Sequence, residues 1–111
     1  MKILIVNDDG IHAAGIKALV KRLKDSHEIT VVAPDSERSA ASHSYSFKYP
    51  IFLEKTDIPD YEGTDAYVTN GTPADCVYLG LQNIRNNDID LVISGINAGA
   101  NLGERILALM F

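Results

Sequence analysis

The hydrophobic pattern of the chain predicts alternating strands and helices. Short apolar runs with strand composition occupy residues 2–6, 29–33 and 90–94, and each ends at polar or glycine-rich residues. Between the first two runs, apolar residues recur at the spacing of one helix face, which predicts an amphipathic helix over about residues 14–25. These helix positions are Ile16, Leu19, Val20 and Leu23. The order strand, helix, strand predicts a βαβ unit with parallel strands.

The middle of the chain predicts an antiparallel excursion from this unit. Residues 45–53 and 66–69 have strand composition, with an irregular stretch between them. A helix start follows, because Thr72 suits the N-cap, Pro73 the first helical position, and Asp75 completes a capping box. We therefore expect an α/β fold in a single domain over residues 1–111. It has a Rossmann-like three-layer core, a mostly parallel sheet and an antiparallel excursion around residues 45–69.

Two adjacent carboxylates, Asp8 and Asp9, follow the first apolar run directly. Side-by-side carboxylates repel each other, and burying either costs several kcal/mol unless a cation or hydrogen-bond donors compensate. The pair at the end of a buried strand therefore predicts a metal site, with a simple polar turn as the alternative interpretation.

A glycine-rich segment follows the run at residues 90–94. Residues 95–103 contain three glycines and two asparagines, which is typical of backbone that approaches a ligand closely. Open α/β sheets bind ligands at the carboxyl ends of parallel strands. If the first and last apolar runs are neighbouring strands, Asp8, Asp9 and Asn97 lie in one small volume.

Composition narrows the class of protein. The chain has 111 residues, of which 46% are hydrophobic and 23% charged, which fits one globular domain. The net charge of -5 argues against binding to a nucleic-acid duplex. No apolar run approaches a membrane span, no signal peptide is recognisable, and the one cysteine suits a reducing compartment. We therefore expect a cytoplasmic protein with no membrane partner.

Four polar clusters resemble the motifs of the SurE (survival protein E) phosphatases, in the family's order and with similar spacing. They are residues 7–10 (Asn-Asp-Asp-Gly), 38–42 (Arg-Ser-Ala-Ala-Ser), 71–76 (Gly-Thr-Pro-Ala-Asp-Cys) and 94–103 (Ser-Gly-Ile-Asn-Ala-Gly-Ala-Asn-Leu-Gly). The resemblance covers essentially the whole chain. Four linked motifs make it specific, whereas any one of them alone would be weak.

The resemblance implies a divalent-metal-dependent nucleotidase that hydrolyses nucleoside 5′- and 3′-monophosphates by a metal-activated water. The metal ligands that it implies are Asp8, Asp9, Ser39 and Asn97. We expect one magnesium or manganese ion per site, because all four ligands supply oxygen. Asp8 and Asp9 are the expected catalytic residues.

Phosphate contacts in this hypothesis come from Ser42, Gly95 and Asn101. Without the resemblance, Ser39 and Ser42 are equally well explained as parts of a polar turn.

The resemblance ends near the last residues. The family continues with a Tyr-Ser-Gly-Thr-Val stretch that helps to hold phosphate, and then for about as long again, whereas here residues 108–111 read Ala-Leu-Met-Phe. A truncated product, a fragment and half of a divided gene are three open explanations. We expect strand 90–94 to lie at a sheet edge and the apolar residues 106–111 to need cover. These expectations predict a homo-oligomer or a completing partner chain, and they leave an inactive chain that binds metal or such a partner as the alternative function.

Two other classes fit less well. A receiver-type signalling domain needs a phospho-accepting Asp at a later strand end and a downstream Lys, but here that strand ends in Ser94-Gly95 and no Lys follows Lys55. A dinucleotide-binding domain needs a Gly-x-Gly-x-x-Gly turn, and residues 7–10 replace it.

Overall fold

The structure is a computed structural model that describes residues 1–36, 50–99 and 103–110. The strands in these ranges are β1 (Lys2–Val6), β2 (Glu28–Pro34), β3 (Leu53–Lys55), β4 (Asp65–Thr69), β5 (Leu91–Gly99) and β6 (Gly103–Met110). The helices are α1 (Ala14–Leu23) and α2 (Pro73–Tyr78), which continues as a π-helix over Leu79–Ile84. A short 3-10 helix spans Pro59–Tyr61.

The described strands form one mixed sheet in the order β3-β4-β2-β1-β5-β6. The four inner strands are parallel, and β3 and β6 pair antiparallel with β4 and β5 at the two edges. The chain adds β2 and then β4 on one side of β1, and returns through α2 to add β5 on the other side. The strand order therefore reverses between β1 and β5.

Alternate residues of β1 point to opposite faces of this sheet, as the twofold period of a strand requires. Ile3 and Ile5 pack in a core cluster with Ile16 and Val20 of α1, whereas Leu4 and Val6 pack on the other face with Cys76 of α2. One helix on each face gives the three layers that the sequence predicts. The mostly parallel α/β fold is confirmed.

The helices begin where their sequences predict. The capping box is present at the start of α2: Asp75 N–H donates to Thr72 Oγ1 at 3.2 Å, and Thr72 N–H donates to Asp75 Oδ2 at 2.8 Å. The helix predicted over residues 14–25 ends as α1 at Leu23. No helix in the described part of the chain has the length and apolar character needed to cross a membrane.

The two edges of the sheet differ from the prediction. The strand predicted at residues 90–94 continues to Gly99, because β6 folds back and pairs with it, so β5 is not the edge of the sheet. At the other edge, β4 belongs to the parallel sheet through its pairing with β2, and the antiparallel part is β3 alone. Of the strand predicted over residues 45–53, positions 45–49 lie outside the described residues, and only Leu53 is in β3.

Candidate functional site

The candidate site lies where β1 and β5 end side by side. Residues Ile3 to Val6 of β1 run parallel to Leu91 to Ser94 of β5, so both strands end at the same edge of the sheet. Strand order reverses between them, and such a point opens a crevice in which α/β proteins bind ligands. The topology therefore satisfies the condition on which the predicted site depends.

The structure brings Asp8 and Asn97 into contact at this point. Asp8 N–H donates to Asn97 Oδ1 at 3.1 Å. Both residues line a cavity of about 370 Å³ together with Ser94 on β5 and the apolar side chains of Ile106 and Leu107 on β6. One side of the cavity thus carries side chains with oxygen atoms, and the other side is apolar.

A tight turn presents the two carboxylates. The amide of Asn7, which is 0% exposed, closes the turn in both directions: Nδ2 donates to Gly10 O at 2.9 Å, and Oδ1 accepts from Gly10 N–H at 3.2 Å. Gly10 has a φ of 105°, a backbone conformation that side chains with a Cβ rarely adopt. Asp8 and Asp9 sit half-buried between these two fixed residues.

The far end of this turn is held by two contacts to Ile11. Ile11 N–H donates to Pro34 O at the end of β2, at 2.8 Å. Ile11 O accepts a hydrogen bond of 2.5 Å from the hydroxyl of Tyr61, a residue that is 2% exposed. Burial, with a smaller effect of Asp60, raises the pKa of the Tyr61 phenol well above its ordinary value, so the hydroxyl stays protonated and donates.

A glycine lets the two site segments approach closely. A Cβ on Gly15, near the start of α1, would lie 2.2 Å from the carbonyl oxygen of Ile96, the residue before Asn97. Atoms do not pack at that distance, so α1 meets β5 at this point only because residue 15 has no side chain.

Sequence reasoning missed both Tyr61 and Gly15. Tyr61 lies 50 positions from its partner Ile11 and sits in a stretch that the pattern marks only as irregular. Gly15 precedes an ordinary amphipathic helix pattern. Neither residue carries a local signal, because each acts through a partner that only the folded sheet brings near.

The remaining predicted site residues divide into two groups. Gly95 lies buried on β5 with a φ of 153°, next to Ser94 of the cavity. Ser39, Ser42 and Asn101 lie outside the described residues.

The donor chemistry of the described part of the site fits a hard cation. The described residues hold no group of three or more His, Cys, Asp or Glu side chains suited to a metal, so a nitrogen- or sulfur-rich site is not formed there. Asp8, Asp9 and Asn97 supply carboxylate and amide oxygens, which magnesium and manganese prefer. A carbonyl oxygen has two lone pairs, and among the described residues Asn97 Oδ1 accepts from Asp8 N–H, which uses one of them.

The fold and the candidate site define a class of α/β protein with two adjacent carboxylates at the switch point of its sheet. The comparison with family models identifies it further: the model described as Survival protein SurE matches residues 3–108, and the chain belongs to this family. The resemblance seen in the four motifs is thereby confirmed.

Curated relatives and a solved structure agree with this assignment. The chain is 49% identical over 107 residues to a protein of Dehalococcoides mccartyi named 5′-nucleotidase SurE, covering 96% of this chain and 40% of that protein. It is 51% identical to the 5′-nucleotidase SurE of Histophilus somni over 96% of this chain and 41% of that one. The crystal structure of the SurE protein from Aquifex aeolicus superposes with a TM-score of 0.72 at 42% identity, covering 93% of this chain and 40% of that chain. The chain thus spans about 40% of the length of such relatives.

Proposed function

We propose that this chain carries the site of a metal-dependent nucleotidase that hydrolyses nucleoside 5′- and 3′-monophosphates by a metal-activated water. The observation that supports the proposal is the contact of Asp8 with Asn97 at the carboxyl ends of β1 and β5. The relatives named 5′-nucleotidase support the reaction class. Asp8, Asp9, Asn97 and Ser39 are the proposed metal ligands, and Ser42, Gly95 and Asn101 the proposed phosphate contacts.

The described residues prepare the site for a cation in two ways. The turn closed by Asn7 fixes the backbone that carries Asp8 and Asp9 at the end of β1. The hydrogen bond from Asp8 N–H turns the amide oxygen of Asn97, rather than its NH₂ group, toward β1. A bound magnesium or manganese ion supplies charge stabilisation for the phosphoryl group and lowers the pKa of a water.

The same residues explain why a cation is needed. Asp8 and Asp9 would repel the negative oxygens of a phosphomonoester, because like charges at close range disfavour each other. Phosphoryl transfer requires mainly positioning and charge stabilisation and little covalent chemistry from the protein. The proposed role of the chain is therefore to hold the oxygen atoms that bind the cation at the edge of the sheet and to bind the phosphate beside them.

A second function rests on the length of the match. The chain matches about 40% of the length of a relative named 5′-nucleotidase SurE, so that name describes a longer protein. A chain that binds the metal without turning over substrate is therefore the alternative proposal. The two proposals agree on metal binding and differ on hydrolysis.

One experiment separates these proposals. Mn²⁺ binding is measured by calorimetry on metal-stripped protein of confirmed mass, and phosphate release from AMP is measured with Mn²⁺ and with EDTA. Asp9→Asn and Asn97→Ala are expected to weaken binding by about 100-fold, the upper end of what the loss of a residue that only orients a ligand costs. Asp57→Asn removes one exposed charge elsewhere and is expected to behave as the unsubstituted chain.

Each result has a defined meaning. Mn²⁺-dependent release that Asp9→Asn abolishes supports the nucleotidase. Binding without release supports the alternative. Equal Mn²⁺ affinity in Asp9→Asn, Asn97→Ala and the unsubstituted chain contradicts both.

The exposed apolar side chains of β6 support the proposal of a partner, either a second copy or a completing chain. Ile106, Leu107, Leu109 and Met110 are 56–71% exposed, and β6 forms an edge of the described sheet. Unpaired edges of this kind associate readily. Sedimentation at several concentrations tests self-association: a Leu107→Asp, Leu109→Asp variant is expected to sediment as a smaller species, and identical behaviour of both proteins excludes β6 as the contact.

A further inference from the structure

We propose that Tyr61 is a positioning residue for the candidate site, whose hydroxyl fixes the turn that carries Asp8 and Asp9 through its hydrogen bond to Ile11 O. This inference rests on the proposed function for its effect on metal binding. Its structural part, the ordering of the turn, stands independently of that function.

The geometry makes Tyr61 the link between two distant parts of the fold. Tyr61 is the last residue of the 3-10 helix Pro59–Tyr61, and its own N–H donates to Ile58 O at 3.0 Å. Its side chain is buried in the α1-side core, with 2% of its surface exposed. The ring is therefore held at its base and along its length, so the hydroxyl occupies a defined position.

The acceptor of this hydrogen bond lies two residues after Asp9. Ile11 is 1% exposed, so its carbonyl oxygen would have little access to water without Tyr61. A buried carbonyl that loses its partner is unfavourable enough to move the backbone toward another donor. At Ile11, such movement is transmitted to Asp9 through a single residue, Gly10, whose φ of 105° lies in a conformation open mainly to glycine.

The opposite end of the turn is already fixed. Asp8 N–H is bound to Asn97 Oδ1, and Asn7 is bound to Gly10. With Ile11 held by Tyr61 and by Pro34 O, the pair Asp8 and Asp9 is restrained from both sides. Removing the hydroxyl leaves Ile11 held by Pro34 O alone, so we expect a loosened turn in a folded protein.

The test compares Tyr61→Phe with two controls. Tyr67→Phe removes the hydroxyl of a half-buried tyrosine that packs on the α2 side of the sheet. Val20→Ala lowers stability by opening a cavity under α1, where the side chain is 0% exposed, and leaves the turn intact. Amide hydrogen exchange and Mn²⁺ affinity are measured for all proteins at a temperature well below the lowest melting point.

The expected result is specific to Tyr61→Phe. Exchange at Gly10 and Ile11 rises at least about tenfold, and Mn²⁺ affinity falls by about tenfold, the lower end of the effect of residues that orient metal ligands. Val20→Ala melts earlier but keeps its Mn²⁺ affinity, as does Tyr67→Phe. If Tyr61 were merely structural, Tyr61→Phe would resemble Val20→Ala.

The outcomes separate this inference from the proposed function. Unchanged exchange at Gly10 and Ile11 in Tyr61→Phe overturns the inference, whatever the metal does. Faster exchange with unchanged Mn²⁺ affinity also overturns the positioning role. If the unsubstituted chain binds no Mn²⁺, the proposed function fails and the exchange data alone decide whether Tyr61 orders the turn.

Discussion

Replacement of Gly15 by alanine tests whether close packing of α1 against β5 holds the candidate site together. Glycine in a helix is about 1 kcal/mol less favourable than alanine, so Gly→Ala within a helix normally stabilises a protein. At residue 15 we expect the opposite sign, because the new Cβ would lie 2.2 Å from the backbone oxygen of Ile96.

The magnitude follows from this distance. A Cβ contact below 3.0 Å essentially never occurs, so the helix and Ile96 must separate by at least 0.8 Å, the difference between 3.0 and 2.2 Å. Overpacking of this kind costs about 1–3 kcal/mol, and the upper end applies because the obstacle is backbone. After the gain of about 1 kcal/mol in helix propensity, a net loss of about 2 kcal/mol remains.

The shift also reaches the site itself. Ile96 precedes Asn97, whose Oδ1 accepts from Asp8 N–H at 3.1 Å. Moving Asn97 away by a similar amount would stretch this contact beyond hydrogen-bond distance. Displacement of a positioned group by about 1 Å can cost about a hundredfold in activity. We therefore expect Gly15→Ala to weaken Mn²⁺ binding as well as folding.

Gly80→Ala is the matched control. Its Cβ would also be crowded, at 2.6 Å from Leu4 Cδ1, but the obstacle is the end of a side chain on the α2 face. Urea unfolding and Mn²⁺ calorimetry are measured on both variants. Gly15→Ala should lose more stability than Gly80→Ala and should alone lose Mn²⁺ affinity. A Gly15→Ala protein as stable as the unsubstituted chain, with unchanged affinity, would refute the reasoning.

Three further predictions concern stability. Thr72→Ala removes the N-cap of α2 and should cost about 1 kcal/mol in urea unfolding, whereas Thr72→Ser should cost less than half as much; equal losses would exclude the cap. The raised pKa of Tyr61 means that the folded state holds its proton longer than the unfolded state, so stability falls as pH rises above about 10. The melting temperature of Tyr61→Phe should fall less steeply above that pH, and parallel curves would contradict the burial effect. Mn²⁺ at a hundred times its Kd should stabilise the chain by about 2.7 kcal/mol, and the same Mn²⁺ concentration should stabilise Asp9→Asn by only about 0.4 kcal/mol if its Kd is about 100-fold higher; the same shift in both proteins would place binding elsewhere.

Most of the strands and helices could be predicted from the sequence because their signals are local. The period of apolar residues marks α1, and Thr72, Pro73 and Asp75 mark the start of α2. Contacts between residues only a few positions apart determine where these helices form. The apolar runs in β1, β2 and β5 are equally clear because both faces of inner parallel strands are buried.

Strand pairing was less predictable because it depends on distant residues. Residues 66–69 have the same strand composition whether they pair with β2 or only with β3, and the structure shows both pairings for β4. Residues 95–99 carry glycines that suggest an open loop, yet they extend β5 once β6 supplies an antiparallel partner. Pairing between strands uses backbone hydrogen bonds, so residues without a strand-like composition can still form a strand when a partner strand is present.

The residues that supply oxygen atoms to the candidate site could be predicted from the sequence, whereas the residues that hold them in place could not. Asp8, Asp9 and Asn97 stand at the ends of apolar runs, where general rules for α/β sheets place ligand sites. Tyr61 acts through the contact of its hydroxyl with Ile11, and Gly15 acts through its lack of a side chain next to Ile96. Both roles depend on partners that only the folded structure brings near.

The candidate site also depends on the completed sheet, because its contacts join residues that are far apart in the chain. Asp8 and Asn97 are 89 positions apart in the chain, and Tyr61 and Ile11 are 50 positions apart. A chain that has formed only β1, α1 and β2 contains the carboxylate pair but none of these contacts, and closing such long loops precedes any gain from them. At the proposed site, Mn²⁺ affinity is therefore expected to report whether β5 has docked beside β1 and whether Tyr61 has reached Ile11.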